Sequence, residues 1–384
     1  MARSSMYIKR TAENKLREYL NAFPVVCITG ARQSGKSTLL KYCLGNDYTY
    51  ITMDDFRLRR LFEADPEKFM STYSSKVIID EVQKVPEIFE YIKRIVDENR
   101  SSYGQFILTG SCQLTLMKNL TESLAGRIGL LSLYPFQLSE VPEHLHKESL
   151  FKGAYPELVT REYRLNLDWY SSYVETYINK DVRSLSGIGD LRDFKRLVRL
   201  LAVLTSQQLN MSNLAKKIGV SVPTIKRWIS ILEATYILFL LPTYHSNLGK
   251  RLVKAPKIYF CDTGLAAYLS GIDTLAAYEN GPMAGALFEN YIVTEILKKE
   301  SHAGSHCELY YFRTNHAAEI DLIIDRRNSV EFIEIKKSMT FKPSMLKHLQ
   351  SLGESANKSS LVYSGETLPY DGIDIINYKE YLTF

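Results

Sequence analysis

Thr29-Gly30-Ala31-Arg32-Gln33-Ser34-Gly35-Lys36-Ser37-Thr38 follows directly on the apolar run Val25-Val26-Cys27-Ile28, and this stretch decides how the chain is read. It satisfies G-x-x-x-x-G-K-[ST] at every fixed position, with a strand before the turn and a helix after it. The glycines let successive backbone N–H groups curl around a phosphate at a helix N-terminus. Residues 30–38 are therefore the expected nucleotide-binding segment. Lys36 would neutralise the β- and γ-phosphates, and Ser37 would place its hydroxyl on Mg²⁺. The cofactors implied are ATP and Mg²⁺.

The chain of 384 residues exceeds what one hydrophobic core serves, so two or three domains are expected. An apolar share of 45% and a charged share of 24% are those of an ordinary globular protein. A net charge of +5 requires any basic surface to be local. The five cysteines are odd in number, scattered, and never spaced C-x-x-C, which argues against a disulfide framework or a zinc site. His302, His306 and Cys307 read as parts of a solvated loop. With no signal-type N-terminal segment and an apolar run at 236–241 too short for a bilayer, the expectation is a reduced, cytoplasmic, membrane-free protein.

Working outward from the turn, residues 48–53 are rich in β-branched and aromatic residues and read as a second strand. Lys76-Val77-Ile78-Ile79-Asp80-Glu81 is an apolar run ending in two carboxylates, as in a buried parallel strand with its chemistry at the C-terminal end. Neighbouring strand residues face opposite ways, so Asp80 can join Ser37 on Mg²⁺ while Glu81 acts as base toward the attacking water. Gln105-Phe106-Ile107-Leu108-Thr109-Gly110-Ser111 is the next buried strand, and Ser111, or second Thr109, can sense the γ-phosphate. A helix at 113–125, Gly126-Arg127 and a strand at 128–133 follow. Arg127 stands where an arginine finger can reach a neighbouring subunit's nucleotide; the position also suits a surface arginine near a helix C-terminus.

The order P-loop, Asp80-Glu81-Val82-Gln83, Leu108-Thr109-Gly110-Ser111, Leu124-Ala125-Gly126-Arg127 resembles a bacterial and archaeal family of AAA+-type P-loop ATPases. Its members pair the ATPase with a winged helix and a C-terminal PD-(D/E)XK restriction-endonuclease-like domain of unknown function. The resemblance implies an α/β architecture with a parallel five-stranded AAA+ core, and it strengthens the finger reading of Arg127. The expected domains are 1–135 (ATPase core), 136–205 (helical connector), 206–275 (winged helix) and 276–384 (nuclease-like).

Residues 211–228 carry helix-turn-helix punctuation: a short helix stops at Gly219, Ser221 caps the next, and Pro223 lies in its first turn. Ile225, Trp228, Ile229 and Leu232 form one apolar face and leave Thr224, Lys226 and Arg227 outward as candidate DNA contacts. Strands at 236–241 and 257–260 flank Asn247-Leu248-Gly249-Lys250-Arg251, a basic wing whose Lys250 and Arg251 can meet phosphates. Protein packing is the alternative use of such a module.

Toward the C-terminus, Glu289 lies near the start of a helix, Asp321 lies in the strand 319–325, and Glu334-Ile335-Lys336 lies in the strand 330–337. The two-residue period puts Glu334 and Lys336 on one face. Asp321 followed by Glu334-x-Lys336 is the minimal PD-(D/E)XK pattern, in which two carboxylates hold Mg²⁺ and a lysine activates water. Glu319 is an additional candidate ligand. The expected protein is a DNA-binding AAA+ ATPase, a homo-oligomer with nucleotide at subunit interfaces, that engages or remodels DNA, branched DNA included. Its nuclease-like domain is Mg²⁺-dependent and of open activity. The alternative is an ATP-dependent regulatory switch or interaction protein with a catalytically silent nuclease fold.

Overall fold

Five strands, β1 (Val25–Thr29), β2 (Thr49–Thr52), β3 (Val77–Asp80), β4 (Phe106–Thr109) and β5 (Ile128–Ser132), form one parallel sheet in the order β2-β3-β4-β1-β5. The computed structural model describes residues 7–110, 123–178, 191–244, 255–314, 318–352 and 356–383; Ser111, Lys250, Arg251 and most of the helix expected over 113–125 lie outside them. β1 is buried at all of its positions, which is why it reads as a continuous apolar run. Its pleat divides its side chains between two cores. Val25 and Cys27 join Val77, Ile79, Phe106 and Leu108 on one face, while Val26 and Ile28 join Ile78, Ile107, Leu39 and Leu40 on the other.

The helices Ala12–Leu20, Lys36–Leu44, Phe56–Ala64, Pro66–Thr72 and Ile88–Glu98 accompany this sheet. Pro66 opens a helix rather than breaking one. Asp65 ends the preceding helix and caps the next by accepting the Lys68 amide at 2.9 Å, and Pro66 supplies the fixed φ of a first helical residue.

The chain divides into two compact units. One comprises Met1–Pro135 with Ala234–Tyr236 and Ser301–Gly304; the other comprises Phe136–Glu233, Ile237–Glu300 and Ser305–Phe384. The second unit contains the helix Met211–Ile218 and, as far as Glu233, the helix Val222–Ala234, with the antiparallel strands β6 (Leu238–Leu241) and β7 (Lys257–Phe260) after them. It also contains a mixed sheet of β8 (Glu308–Arg313), β9 (Glu319–Asp325), β10 (Val330–Lys336), β11 (Lys358–Tyr363) and β12 (Asp374–Asn377), in the order β12-β11-β10-β9-β8.

The helix Ala284–Ala303 carries a buried polar stripe at four-residue spacing. Asn290 donates to the Phe260 carbonyl at 3.0 Å and accepts the Phe260 amide at 2.8 Å; Thr294 donates to the same carbonyl at 2.9 Å; Lys298 donates to the Phe136 carbonyl at 3.0 Å. The same helix corrects the loop reading of His302. That residue is fully buried within the last helical turn, and its Nε2 accepts the Tyr134 amide at 3.1 Å. The Ser/Gly-containing stretch that suggested a loop begins only after Ala303. Among the described residues no helix is long and apolar enough to cross a membrane.

Gly30 is the tightest point of the strand-to-turn passage. Its φ is +145°, and a Cβ there would lie 2.1 Å from the Leu133 carbonyl oxygen. Gly30→Ala is expected to lower stability by roughly 2–4 kcal/mol through backbone strain and overpacking, read by thermal unfolding; a midpoint within a degree of the parent would refute the clash.

Candidate functional site

The first unit gathers its polar residues at the C-terminal edge of the parallel sheet, where strand ends and helix N-termini meet. Gly35 has φ 93° and is the N-cap of the helix that begins at Lys36. Lys36 is buried, and its ammonium donates to the carbonyls of Gly30 at 2.9 Å and Ala31 at 2.8 Å. Ser34 is fully buried with its hydroxyl lacking a hydrogen-bond partner. From below, Arg10 braces the turn: it donates to the carbonyls of Ser34 at 2.9 Å, Tyr134 at 2.8 Å and Pro135 at 3.4 Å. Nothing in the sequence around Arg10 marks it, because its partners lie far along the chain.

Asp80, at the end of β3, collects three hydroxyls. Ser37 donates to its Oδ2 at 3.0 Å, Tyr50 donates to the same oxygen, and Thr109 donates to Oδ1. The sheet order explains the set. β4 lies between β1 and β3, so Thr109 stands between the turn and Asp80, while β2 brings Tyr50 from the other side. Burial, then the bond to Asp80, raises the Tyr50 hydroxyl above its ordinary range and keeps it a donor. Tyr50 reads in the sequence only as a strand aromatic.

Glu81 departs from the geometry expected of it. β3 ends at Asp80, and Glu81 takes a left-handed φ of 53° ahead of the short turn Val82–Lys84, with its carboxylate accepting from the Gln83 amide. The two carboxylates are thus parted by a backbone turn, not by the strand pleat. Thr29 at the end of β1 is held by the Tyr236 hydroxyl at 2.6 Å. Arg127 forks onto Asp97, with Nε at 2.7 Å from one carboxylate oxygen and Nη2 at 3.0 Å from the other; the pair draws the Asp97 carboxyl below its usual range.

In the second unit, Asn210 caps the helix Met211–Ile218, and Gly219 ends it at φ 88°. Ser221 accepts the Thr224 amide at 3.2 Å and pairs with its hydroxyl at 2.9 Å, so Thr224 belongs to the cap. Ile225, Trp228, Ile229 and Leu232 are buried, whereas Lys226 and Arg227 face solvent.

Glu289, Asp321, Glu334 and Lys336 come together as one cluster, joined by Glu319, Lys257 and Tyr259. Lys336 pairs with Asp321 at 3.2 Å and Glu334 at 2.6 Å. Lys257 pairs with Glu289 at 2.9 Å and Glu319 at 2.6 Å and lies 3.9 Å from Asp321. Tyr259 donates to Glu289 at 2.6 Å, and the Ile335 amide donates to Asp321 at 2.9 Å. Burial, then the Asp321 charge, pushes the Glu289 carboxyl up to about 7 and that of Glu334 up to about 8. Burial lowers both lysines, but the carboxylates outweigh it and hold them above their ordinary range. Among the described residues no three acidic, histidine or cysteine side chains are placed to hold a metal ion, and in this cluster Lys257 and Lys336 stand among the carboxylates that Mg²⁺ would need. Ser37 and Asp80 do fit Mg²⁺, as a hydroxyl and a carboxylate beside the glycine turn.

Residues 22–142 match a family model described as an AAA domain. Residues 143–276 and 284–381 each match a domain of unknown function (DUF8612 and DUF4143). The uncharacterized protein Rv2008c of Mycobacterium tuberculosis is 30% identical over 366 residues, covering 93% of this chain and 80% of that protein. An uncharacterized protein of Haemophilus influenzae is 22% identical over 396 residues, covering 92% and 93%. Among solved structures, a Walker-type ATPase of Pyrococcus abyssi aligns at TM-score 0.49 and 17% identity, covering 70% of this chain and 97% of its own. The AAA match and the P-loop geometry agree on an AAA-type ATPase fold.

Glu289 and Glu334 hold their protons more tightly in the folded chain than in the unfolded one, so their contribution to stability is complete below the unfolded carboxylate value of 4.5 and is lost as pH rises through about 7 and 8. The unfolding midpoint is expected to fall between pH 5 and pH 8.5, and Glu334→Gln to flatten that fall. Parallel melts of both proteins check it, and an equal slope in the two would contradict the assignment.

Proposed function

The chain belongs to the family of the uncharacterized protein Rv2008c of Mycobacterium tuberculosis, and from that premise we propose that it is an ATPase whose nucleotide cycle is coupled to engaging or remodelling DNA, branched DNA included. The observation that carries the ATPase reading is the convergence of Ser37, Tyr50 and Thr109 on Asp80 beside the glycine turn. In this reading residues 30–38 bind the phosphates, Lys36 neutralises them, and Ser37 with Asp80 holds Mg²⁺. Bound Mg²⁺ offsets charge on the β- and γ-phosphate oxygens. Tyr50 and Thr109 fix the Asp80 carboxylate in place, Glu81 orients the attacking water once Gln83 releases it, and Ser111 senses the γ-phosphate. Arg127 acts on a neighbouring subunit's nucleotide after exchanging Asp97, which makes the working form a homo-oligomer.

The DNA reading rests on the second helix of the helix-turn-helix pair, which turns Lys226 and Arg227 to solvent and buries the opposite face. With β6 and β7 this region is read as a winged helix, its wing carrying Lys250 and Arg251. The mixed sheet with Asp321, Glu334 and Lys336 is read as the nuclease-like domain. A second reading, an ATP-dependent switch with a silent nuclease fold, is favoured by Lys257, whose ammonium lies among the carboxylates that a metal would need.

ATP turnover measured with and without duplex, single-stranded and branched DNA tests the proposal, and absence of binding to all three at low salt would end the DNA claim. Replacing Lys226 and Arg227 together by alanine is expected to weaken binding about tenfold and to reduce the salt slope by about 2, since both act on phosphates. Tyr50→Phe removes one positioning bond, worth about 1 kcal/mol, and should slow ATP turnover about fivefold with the fold intact. Unchanged turnover would remove Tyr50 from the site.

A further inference from the structure

Lys257 begins β7 and is 3% exposed, an uncommon depth for an ammonium. Three carboxylates from two elements face it: Glu289 of the helix Ala284–Ala303, and Glu319 and Asp321 of β9. Its ammonium also lies 5.5 Å from the centre of the Tyr311 ring. Tyr259, two residues along and on the same face of β7, bonds the same Glu289 oxygen that Lys257 does, so one strand face supplies both donors.

The carboxylate oxygens are thus arranged around ammonium and hydroxyl donors at hydrogen-bond separations. Mg²⁺ asks for near-octahedral oxygen ligands at about 2.0–2.1 Å, and a divalent charge beside a buried ammonium is repelled by it. Lys336 completes the set from the far side by pairing with Asp321 and Glu334. One oxygen is left over: Glu334 Oε2 is buried without a hydrogen-bond partner.

We propose that Lys257 is a built-in counter-ion that takes the place of a divalent metal among Glu289, Glu319 and Asp321, so that the C-terminal cluster folds and stays metal-free. The ammonium and the ion are mutually exclusive claimants on the same carboxylates. Removing the ammonium while keeping the side-chain length opens the cluster to metal. This holds whether or not the chain engages DNA.

The test is Mn²⁺ titration of the full chain without nucleotide, in an Asp80→Asn background so that the P-loop site loses the carboxylate assigned to the metal, followed by calorimetry and by the electron-spin signal of free Mn²⁺. Adding Lys257→Met is expected to create one site binding Mn²⁺ at least tenfold more tightly than the background does. Lys257→Arg, which keeps the charge, is expected to bind no better than the background. In melts, EDTA and Mn²⁺ leave the midpoint of the Asp80→Asn background unmoved, whereas Mn²⁺ raises it once Lys257→Met is added. If Lys257→Met folds only when Mn²⁺ is present, the metal has replaced the ammonium and the proposal stands. A micromolar Mn²⁺ site in the Asp80→Asn background overturns it. So does a Lys257→Met chain that folds without gaining affinity, or one that stays unfolded at every Mn²⁺ concentration.

Discussion

Asp80 is the constraint on which the candidate nucleotide site depends. A carboxylate buried to this degree must be answered by donors, since an unanswered charge away from water is among the costliest groups a fold can carry. The donors come from the helix after the glycine turn, from β2 and from β4, so satisfying one side chain fixes the relation of three elements. That relation is set by the strand order: with β4 between β1 and β3, the chain must return to the sheet centre before the hydroxyl of Thr109 can arrive. The chemistry at the sheet edge and the topology of the sheet are therefore the same requirement seen at two scales.

What was legible in the sequence is what lies contiguous in it. The glycine turn, the buried run ending at Asp80, the caps at Gly219 and Ser221, and the alternation that puts Glu334 beside Lys336 each need only a few neighbouring residues. Tyr50, Arg10 and Lys257 were not legible, because each acquires its role from partners tens of residues away. Tyr50 depends on the parallel pairing of β2 with β3, and Lys257 on the meeting of β7 with β9 and a helix. His302 illustrates the opposite error. Its neighbours in the sequence are polar and small, yet a backbone amide waiting at Tyr134 draws it into the interior. Glu81 shows that even a correct strand can mislead at its last residue, where a single left-handed φ redirects the side chain.

The second unit manages its charges differently. Its acids are buried among lysines, and burial outweighs pairing for Glu289 and Glu334, whose carboxyls titrate well above the usual range. Such a cluster is weak grounds for stability by itself, because desolvation consumes much of what the pairs return.

The polar stripe on the helix Ala284–Ala303 ties side chains to main chain. Asn290 and Lys298 reach main-chain groups of Phe260 and Phe136 as well as side chains, since Thr205 donates to Asn290 at 2.6 Å and Lys298 also donates to Glu295 at 2.7 Å. The carbonyl and amide come from the backbone, so these bonds do not depend on the phenyl rings, whose own role is to fill the core. A substitution at Asn290 removes the acceptor of the buried Phe260 amide. The anchoring is therefore lopsided: these bonds depend on the identity of the helix side chains, and on no more than the backbone of the residues that they grip.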